Sequence, residues 1–306
     1  MLPIDLRIVG AGAARPRAGA PTAAAYIASG GSRLLIDCGE GTQVALDRLS
    51  ISLARLDAVC ITHLHGDHLY GLPGLLTSMA LEGRTKPLAL IGPPDLPQYL
   101  AGVFAASSVH DFEFPVQHIA TDDAQPRRDV LRLRDLVVHT IPLRHRIRCV
   151  GFCVGHPARG RHLRPGVVEA YDIPYREIPA LREGQDFIAA DGRRIPNNEL
   201  TTPPDPQRSV AYLTDTAPLD GWPEGWPPPH AVVHDATFAP ADAHLADKTG
   251  HATVTQAAAF AKTISSERLL LTHLSVRYDD RDTLLAEARA VFAAAEWAEP
   301  GGAWVV

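Results

Sequence analysis

Thr62-His63-Leu64-His65-Gly66-Asp67-His68 is the stretch around which this 306-residue chain is organised. It follows the apolar, β-prone run 58–61, so His63 and His65 are predicted to point to the same side by the period of a strand. Gly66 permits a sharp turn that brings Asp67 and His68 round to the same point. Six residues therefore offer four metal ligands.

Three imidazoles and one carboxylate form a donor set for a borderline divalent metal. Zinc is the preferred ion, and manganese or iron is allowed because nitrogen and oxygen donors discriminate weakly among these metals. The alternative is a surface loop that happens to be rich in histidine. The strand-to-turn context that a metal motif requires is present here, which favours the metal site.

Several other apolar runs also end in a histidine or an aspartate. Runs 137–143, 210–214 and 269–272 lead to His145, Asp215 and His273, and run 33–36 leads to Asp37. A layered α/β fold delivers such strand-end side chains to one edge of its sheets, where ligand sites tend to lie. The sequence therefore predicts that these residues meet the stretch 62–68.

Composition is that of a soluble globular α/β protein, with 46% hydrophobic and 21% charged residues. The apolar runs fall short of the ~18 residues of a membrane helix, and no signal-peptide pattern is present. We therefore expect a cytoplasmic protein with no membrane partner. The four cysteines have neither zinc-ribbon nor disulfide spacing and are predicted to be reduced.

Charge argues against indiscriminate binding to nucleic acid, because the net charge is −6 and the phosphate backbone attracts positive proteins. Between residues 144 and 164, however, the chain carries six arginines and no carboxylate. Such a segment can bind phosphates, or its arginines can pair with acids elsewhere in the chain. Both interpretations remain open at this stage.

The pattern His-x-His-x-Asp-His resembles the hallmark of the metallo-β-lactamase superfamily, and run 61–76, Ile-Thr-His-Leu-His-Gly-Asp-His-Leu-Tyr-Gly-Leu-Pro-Gly-Leu-Leu, closely resembles its ribonuclease Z branch. Further pieces match this family in the same order along the chain. They are Leu35-Ile36-Asp37-Cys38-Gly39, Thr214-Asp215-Thr216, Val233-His234-Asp235-Ala236-Thr237, Gly250-His251-Ala252-Thr253 and Leu271-Thr272-His273-Leu274-Ser275.

The resemblance implies a four-layer αββα metallo-β-lactamase fold, formed by a single domain over residues 1–306 with an arm-like insertion at 155–184. Long irregular insertions in compact domains are usually functional or disordered. Two family features are absent, the Gly-Pro pair of the arm and the Arg-Asn ending of a basic loop near residue 20. The pattern after the insertion predicts a closing helix over residues 279–296.

The resemblance also implies roles for individual residues. One metal would be bound by His63, His65 and His145, the other by Asp67, His68 and His273, with Asp215 bridging both. Asp67 would also handle the attacking water, and His251 would protonate the leaving oxygen with help from Asp235, which replaces the family's glutamate. His251 could instead be a capping or surface residue before the next helix.

Three classes of function follow. The first is an endonuclease that cleaves at the 3′ end of transfer-RNA precursors with two divalent metal ions, acts on no DNA, and forms a homodimer as the resemblance implies. The second is a hydrolase of small phosphodiesters, lactones or related esters. The third is a binding protein with a degenerate site, which the complete set of seven ligands disfavours.

Overall fold

Two compact units make up the chain in the computed structural model, which describes residues 2–17, 19–107, 112, 114–204 and 207–306. The larger unit comprises residues 2–156 and 208–306, and the smaller comprises Pro157–Gln207. The insertion predicted over 155–184 therefore falls mostly within the smaller unit, which continues further along the chain. Its role as an arm stays a prediction.

Two seven-stranded sheets form the larger unit. The first has the order β18-β1-β2-β3-β4-β5-β6, with β3 to β6 parallel. Its strands are β1 Asp5–Gly10, β2 Ala24–Ser29, β3 Ser32–Ile36, β4 Ala58–Cys60, β5 Leu88–Gly92, β6 Val116–Ala120 and β18 Ala303–Val305.

The second sheet has the order β17-β16-β15-β14-β9-β8-β7, with β14 to β17 parallel. Its strands are β7 Arg127–Arg132, β8 Val137–Pro142, β9 Val150–Gly155, β14 Ser209–Leu213, β15 Ala231–Asp235, β16 Arg268–Thr272 and β17 Ala295–Trp297. Strands β9 and β14 pair through Gly155 and Ser209, so the smaller unit is inserted between neighbouring strands of this sheet.

Apolar residues on both faces of the strands generate the layers. In β3, Leu34 and Ile36 enter the core between the sheets, while Leu35 packs on the outer side. In β14, Val210 and Tyr212 face the inner core in the same way. This alternation follows the two-residue period of a strand, and burial on both faces is typical of parallel sheets covered by helices.

Helices cover the outer faces of both sheets. The first sheet carries α1 Thr42–Arg48, α3 Leu72–Leu81 and α4 Leu96–Ala106, with the short α2 Gly66–Leu69 before α3. The second carries α9 Val254–Thr263 and α10 Arg281–Val291, with α8 Ala243–Thr249 before α9. The predicted four-layer αββα metallo-β-lactamase arrangement is confirmed. No helix among the described residues could cross a lipid bilayer.

The prediction of one helix over residues 279–296 is wrong at both ends. Asp280 caps α10 through Thr283 N (3.0 Å), and the helix ends at Val291. Ala295 then pairs with Leu269 as the start of β17. The sheet edge supplies backbone partners that the alanine-rich helical pattern does not reveal.

The smaller unit has its own apolar core, built from Val167, Leu181, Phe187, Ile195 and Leu200 among others. Its elements are β10 His162–Leu163, α5 Val167–Ala170, α6 Ile178–Arg182, β11 Phe187–Ile188, β12 Arg194–Ile195, α7 Asn197–Leu200 and β13 Thr201–Thr202. Strands β11 and β12 form a hairpin, and β10 pairs with β13. The insertion is therefore a folded unit.

Candidate metal centre

The stretch 62–68 reaches the predicted geometry by a different route from the one its pattern indicates. Strand β4 ends at Cys60, so His63 and His65 lie in irregular backbone, yet their rings meet with His63 Nε2 3.0 Å from His65 Nδ1. Gly66 begins α2, which carries Asp67 and His68. Glycine is needed there for space, because a Cβ would lie 2.3 Å from the Tyr70 ring.

A first cluster joins these histidines to the second sheet. His145, which follows β8, places Nε2 3.3 Å from His65 Nδ1. Asp215, which follows β14, places Oδ2 3.7 Å from His63 Nε2 and 3.9 Å from His145 Nε2. One ligand atom from each of the four residues lies within 4.8 Å of the others.

A second cluster contains Asp67, His68 and His273, which again lie within 4.8 Å of one another. His273 Nε2 is 3.3 Å from Asp67 Oδ2, and His68 Nε2 is 3.7 Å from the same oxygen. Asp215 Oδ1 lies 3.2 Å from His68 Nε2 and 3.3 Å from His273 Nε2. Asp215 therefore presents one oxygen to each cluster.

Partners behind the rings fix which nitrogen faces each cluster. His145 Nδ1 donates to the carbonyl oxygen of Gly250 (2.9 Å), and His68 Nδ1 donates to Asp37 Oδ2 (2.7 Å). Because these oxygens can only accept, each ring in its neutral form keeps its proton on Nδ1 and directs an unprotonated Nε2 inward. His68 Nε2 is buried without a hydrogen-bond partner among the described residues.

Two threonines have the same function behind the rings of His63 and His273. Thr62 Oγ1 lies 3.0 Å from His63 Nδ1 and donates to Asp37 Oδ1 (2.9 Å), while Thr237 Oγ1 lies 3.0 Å from His273 Nδ1. Ring nitrogens and carboxylate oxygens therefore converge on each cluster, and the nitrogens can bind a metal once the rings are neutral. Such a donor set fits a divalent cation in each cluster.

The electrostatics of the two clusters differ. Burial lowers the pKa of His63, His65 and His145, and for His63 the neighbouring His68 charge lowers it further. Burial alone would also lower the pKa of His68 and His273, but the surrounding carboxylates, Asp215 foremost, together outweigh it and raise the pKa of both.

The carboxylates respond in the opposite direction. Burial opposes ionisation of Asp215, but His273 and His68 hold its pKa well below the usual range. Burial likewise opposes ionisation of Asp67, whose pKa is nevertheless held low by the hydrogen bond from His273 and by the charge of His68. Asp67 Oδ2 also accepts a hydrogen bond from Ala14 N (2.8 Å). Both carboxylates are therefore ionised and available as ligands.

His251 and Asp235 lie beside the two clusters. His251 Nδ1 donates to Asp235 Oδ2 (2.6 Å), so the shorter carboxylate at position 235 still reaches the ring. The backbone N–H groups of Thr216, Thr237 and Ala252 also donate to Asp235, at 3.1, 3.0 and 3.2 Å. Asp215, Asp235, His251 and His273 form a third group of possible ligands, but Asp235 has its oxygens occupied and is better suited to orient His251.

Three of these strand-end residues have left-handed backbone. The φ angles are 57° at Asp37, 54° at Asp215 and 64° at His273. This conformation is uncommon for residues other than glycine, although aspartate and histidine adopt it more readily than most. Asp37 and His273 directly follow β3 and β16, and Asp215 lies two residues after the end of β14. The backbone therefore turns away from each strand where the side chain enters the site.

An open pocket of about 440 Å³ gives access to the centre. It is lined by His65, Asp67, Asp215, His251 and His273. Residues outside the proposed ligand set, among them Tyr70 and Arg146, also line it. Sequence reasoning did not identify Thr62, Thr237 or Tyr70 as part of the site. The threonines stand one and two residues from predicted site residues, which is the available signal, and Tyr70 stands just beyond the motif.

Comparisons with known proteins identify relatives of this chain by sequence and by fold. A family model described as Anti-Pycsar protein Apyc1 matches residues 4–146. Ribonuclease Z of Porphyromonas gingivalis is 37% identical over 295 residues, covering 95% of each chain. The crystal structure of human tRNase Z, short form, has a TM-score of 0.67 at 25% identity and covers 98% of both chains. A metallo-β-lactamase-fold protein of Bacillus subtilis, 19% identical with a TM-score of 0.68, covers both chains fully and supports the fold.

Proposed function

The chain belongs to the ribonuclease Z family of metallo-β-lactamase-fold hydrolases, and from that premise we propose that it cleaves transfer-RNA precursors at their 3′ end. One observation carries the proposal, the Asp215 carboxylate shared between two ligand clusters at the base of an open pocket. Displacement at phosphorus by water is favoured where two cations act on the entering and leaving oxygens together.

We assign two divalent ions to each chain, with His63, His65 and His145 for the first, Asp67, His68 and His273 for the second, and Asp215 for both. When bound, they would supply positive charge for the phosphodiester oxygens and a water of lowered pKa. Zinc is the preferred ion because imidazole and carboxylate are its usual non-sulfur ligands. Manganese and iron accept the same donors.

Asp67 is assigned a second role, to accept or orient a proton of the attacking water. Its low pKa keeps it ionised at neutral pH, which this role requires. The hydrogen bond from Ala14 N holds the same carboxylate from the pocket side. A ligand fixed in this way can align a water without reorganising during the reaction.

His251 is assigned as the acid that protonates the leaving oxygen. Its ring lies 5.0 Å from the His145 ring and 5.3 Å from the His273 ring, centroid to centroid, so it borders both clusters. Asp235 binds Nδ1 and thereby leaves Nε2 for the substrate. Thr253 is the cap of α9, so His251 is not needed for capping. Its hydrogen bond to Asp235 and its position beside both clusters support acid catalysis instead.

A homodimer and cytoplasmic residence complete the proposal, with neither DNA nor a membrane as partner. The family resemblance implies the homodimer, and the composition and the lack of a signal-peptide pattern are the grounds for cytoplasmic residence. Analytical ultracentrifugation of the purified protein at micromolar concentration tests the oligomeric state, and a purely monomeric species would exclude the dimer.

Hydrolysis of small phosphodiesters, lactones or related esters is the second candidate, and a feature of the smaller unit favours it. Three arginines of this unit pair with acids of the same unit, Arg176 with Glu177, Arg193 with Asp191 and Arg194 with Asp186. These pairs weaken its attraction for RNA phosphates. Arg161 and Arg164 donate to the neutral oxygens of Thr201 and Asn198, and these contacts leave their positive charge uncompensated.

Parallel assays separate the two candidates. Metal-loaded protein is incubated with a transfer-RNA precursor carrying a 3′ trailer and, separately, with bis-(p-nitrophenyl) phosphate. We expect a single cut at the trailer junction. Turnover of the small diester without cleavage of any precursor, at any salt concentration, would replace the endonuclease by the small-substrate hydrolase.

A deletion tests the contribution of the smaller unit. His156 N donates to Arg208 O (3.0 Å), so a short loop can replace residues 157–207 without stretching the larger unit. We expect precursor cleavage to fall by roughly 10²-fold or more, because lost phosphate contacts weaken RNA binding, while small-diester turnover changes by less than about tenfold. Equal losses on both substrates would assign the unit to folding or to the metal centre.

A further inference from the structure

Two side chains on the wall of the metal pocket have no part in metal binding or proton transfer. Tyr70 follows the motif and is 62% exposed, although it is a large aromatic residue. Its ring lies against the glycine that begins α2, and it lines the pocket together with His65 and Asp67. An exposed aromatic ring that lines the pocket of a nuclease is a platform on which a base can stack.

Arg146 is the second such group, and it differs from the arginines on either side of it. Arg144 lies 3.6 Å from Asp220 Oδ1 and donates to Pro218 O (3.0 Å). Arg148 lies 3.2 Å from Asp123 Oδ1. Arg146 has no ion pair in the part of the chain that the structure describes, and it lines the metal pocket.

These contacts decide between the two interpretations that the sequence left open for residues 144–148. The outer arginines pair with distant acids, whereas the middle one keeps its charge and directs it to the pocket. The metal clusters bind only the phosphodiester that is cut. The neighbouring phosphates of an RNA chain are bound by other positive groups of the protein. Arg146 lines the same pocket as the ligand clusters and carries such a charge.

We propose that Tyr70 and Arg146 form a nucleotide clamp beside the metal centre, in which Tyr70 stacks on a base next to the scissile phosphodiester and Arg146 binds a flanking phosphate. The proposal rests on the proposed function and extends it to the form of the substrate. Stacking on a protein ring requires an unpaired base, so the clamp selects single-stranded RNA at the cut. Neither contact reads sequence, because every base has a π face and every nucleotide a phosphate.

Binding of a synthetic RNA tests the clamp without relying on catalysis. The probe is a fluorescein-labelled acceptor-stem hairpin with an unpaired 3′ tail and a methylphosphonate at the scissile position, which the metal-loaded protein binds but does not cut. Fluorescence anisotropy gives the affinity between 50 and 300 mM KCl. Metal content is measured for every variant, so that damage to the adjacent His145 is detected.

Arg146→Ala should weaken binding several-fold at low salt and reduce the slope of log affinity against log salt by about 0.7, the value for one phosphate of a single strand. Arg146→Lys should restore most of the slope. The matched controls Arg144→Ala and Arg148→Ala should keep the wild-type slope. The proposal fails if Arg146→Ala behaves like these controls.

A second methylphosphonate, moved along the tail, locates the contact. At one flanking position the loss caused by Arg146→Ala should disappear, because the partner phosphate is already neutral. A loss that persists at every position would show that Arg146 contacts no phosphate of the tail.

Tyr70→Ala should weaken binding of the unpaired tail by roughly tenfold or more, and Tyr70→Phe should bind like wild type because stacking needs the ring alone. A complementary strand annealed to the tail should reduce wild-type affinity to the level of Tyr70→Ala. If Tyr70→Ala and the wild type bind the tail with equal affinity, the proposed stacking contact is ruled out.

The outcomes also separate this inference from the proposed function. Cleavage of a precursor without any effect of Arg146→Ala or Tyr70→Ala would overturn the clamp and keep the endonuclease. Clamp-dependent binding without precursor cleavage would keep the clamp and overturn the endonuclease. Failure of the wild-type protein to bind the tail would overturn both.

Discussion

The two ligand clusters share Asp215 but differ in charge. In the first, His63, His65 and His145 meet with their pKa values lowered, chiefly by burial. In the second, carboxylates outweigh burial and raise the pKa values of His68 and His273. The difference arises from the placement of acids, since Asp37 lies behind His68 and Asp67 lies beside His273.

This contrast has a consequence for the metal-free protein. The first cluster is a set of neutral imidazoles that can accept a metal at once. The second holds protons between its imidazoles and carboxylates, and these protons must leave before a metal enters. We therefore expect the first cluster to load before the second, and the following predictions are arranged to test that order.

Asp215→Ala should produce the largest effect, because it removes the carboxylate common to both clusters. We expect turnover of either substrate to fall by about four orders of magnitude or more, and metal content by mass spectrometry to drop in both clusters. The matched variant Asp67→Ala should lose the metal of the second cluster and retain the first. Near-normal activity of Asp215→Ala would contradict the shared-ligand arrangement.

His251→Ala changes a residue that borders both clusters and belongs to neither. Turnover of RNA should fall by ~10²–10⁴-fold, because its alkoxide leaves poorly without a proton. The loss should be smaller for bis-(p-nitrophenyl) phosphate, whose leaving group needs no protonation. Both metals should remain, and loss of one would instead make His251 a ligand.

Lower pH should separate the clusters by affinity. Between the ordinary histidine pKa and the raised pKa of His68 and His273, each protonated ring costs the second cluster about tenfold in metal affinity per pH unit. The first cluster should change little until the pH falls below about 6.5, the ordinary histidine pKa. Calorimetric titration of chelated protein with zinc at pH 8, 7 and 6 measures both steps, and parallel losses would refute the contrast.

Thr62→Val and Thr237→Val should give the smallest effects. They test which threonine stabilises the imidazoles of which cluster. Each substitution removes the hydroxyl behind one ligating imidazole, and such losses typically weaken metal binding by about 10–100-fold. Thr237 Oγ1 also lies 3.2 Å from His251 Nδ1. Thr62→Val should affect the first cluster and Thr237→Val the second. Thr62 also binds Asp37, so unfolding by urea provides the control for stability.

Much of this centre could be predicted from the sequence because its signals are local. An apolar strand followed by His63, Asp215 or His273 is visible in a few residues, and parallel strands ending at one edge bring such residues together. The pairing of Arg144 and Arg148 could not be predicted, since it depends on Asp220 and Asp123. The role of Thr237 depends in the same way on His273, which is distant in sequence.

The left-handed backbone at Asp37, Asp215 and His273 has a consequence for evolution. Strained backbone of this kind costs on the order of 1–3 kcal/mol per residue, and glycine or asparagine would relieve it. Mutational drift under selection for thermal stability alone should therefore replace Asp215 and His273 early, with the sheets intact and the catalyst lost. The three φ angles therefore mark positions where the chain gives up stability to hold the side chains that the centre needs.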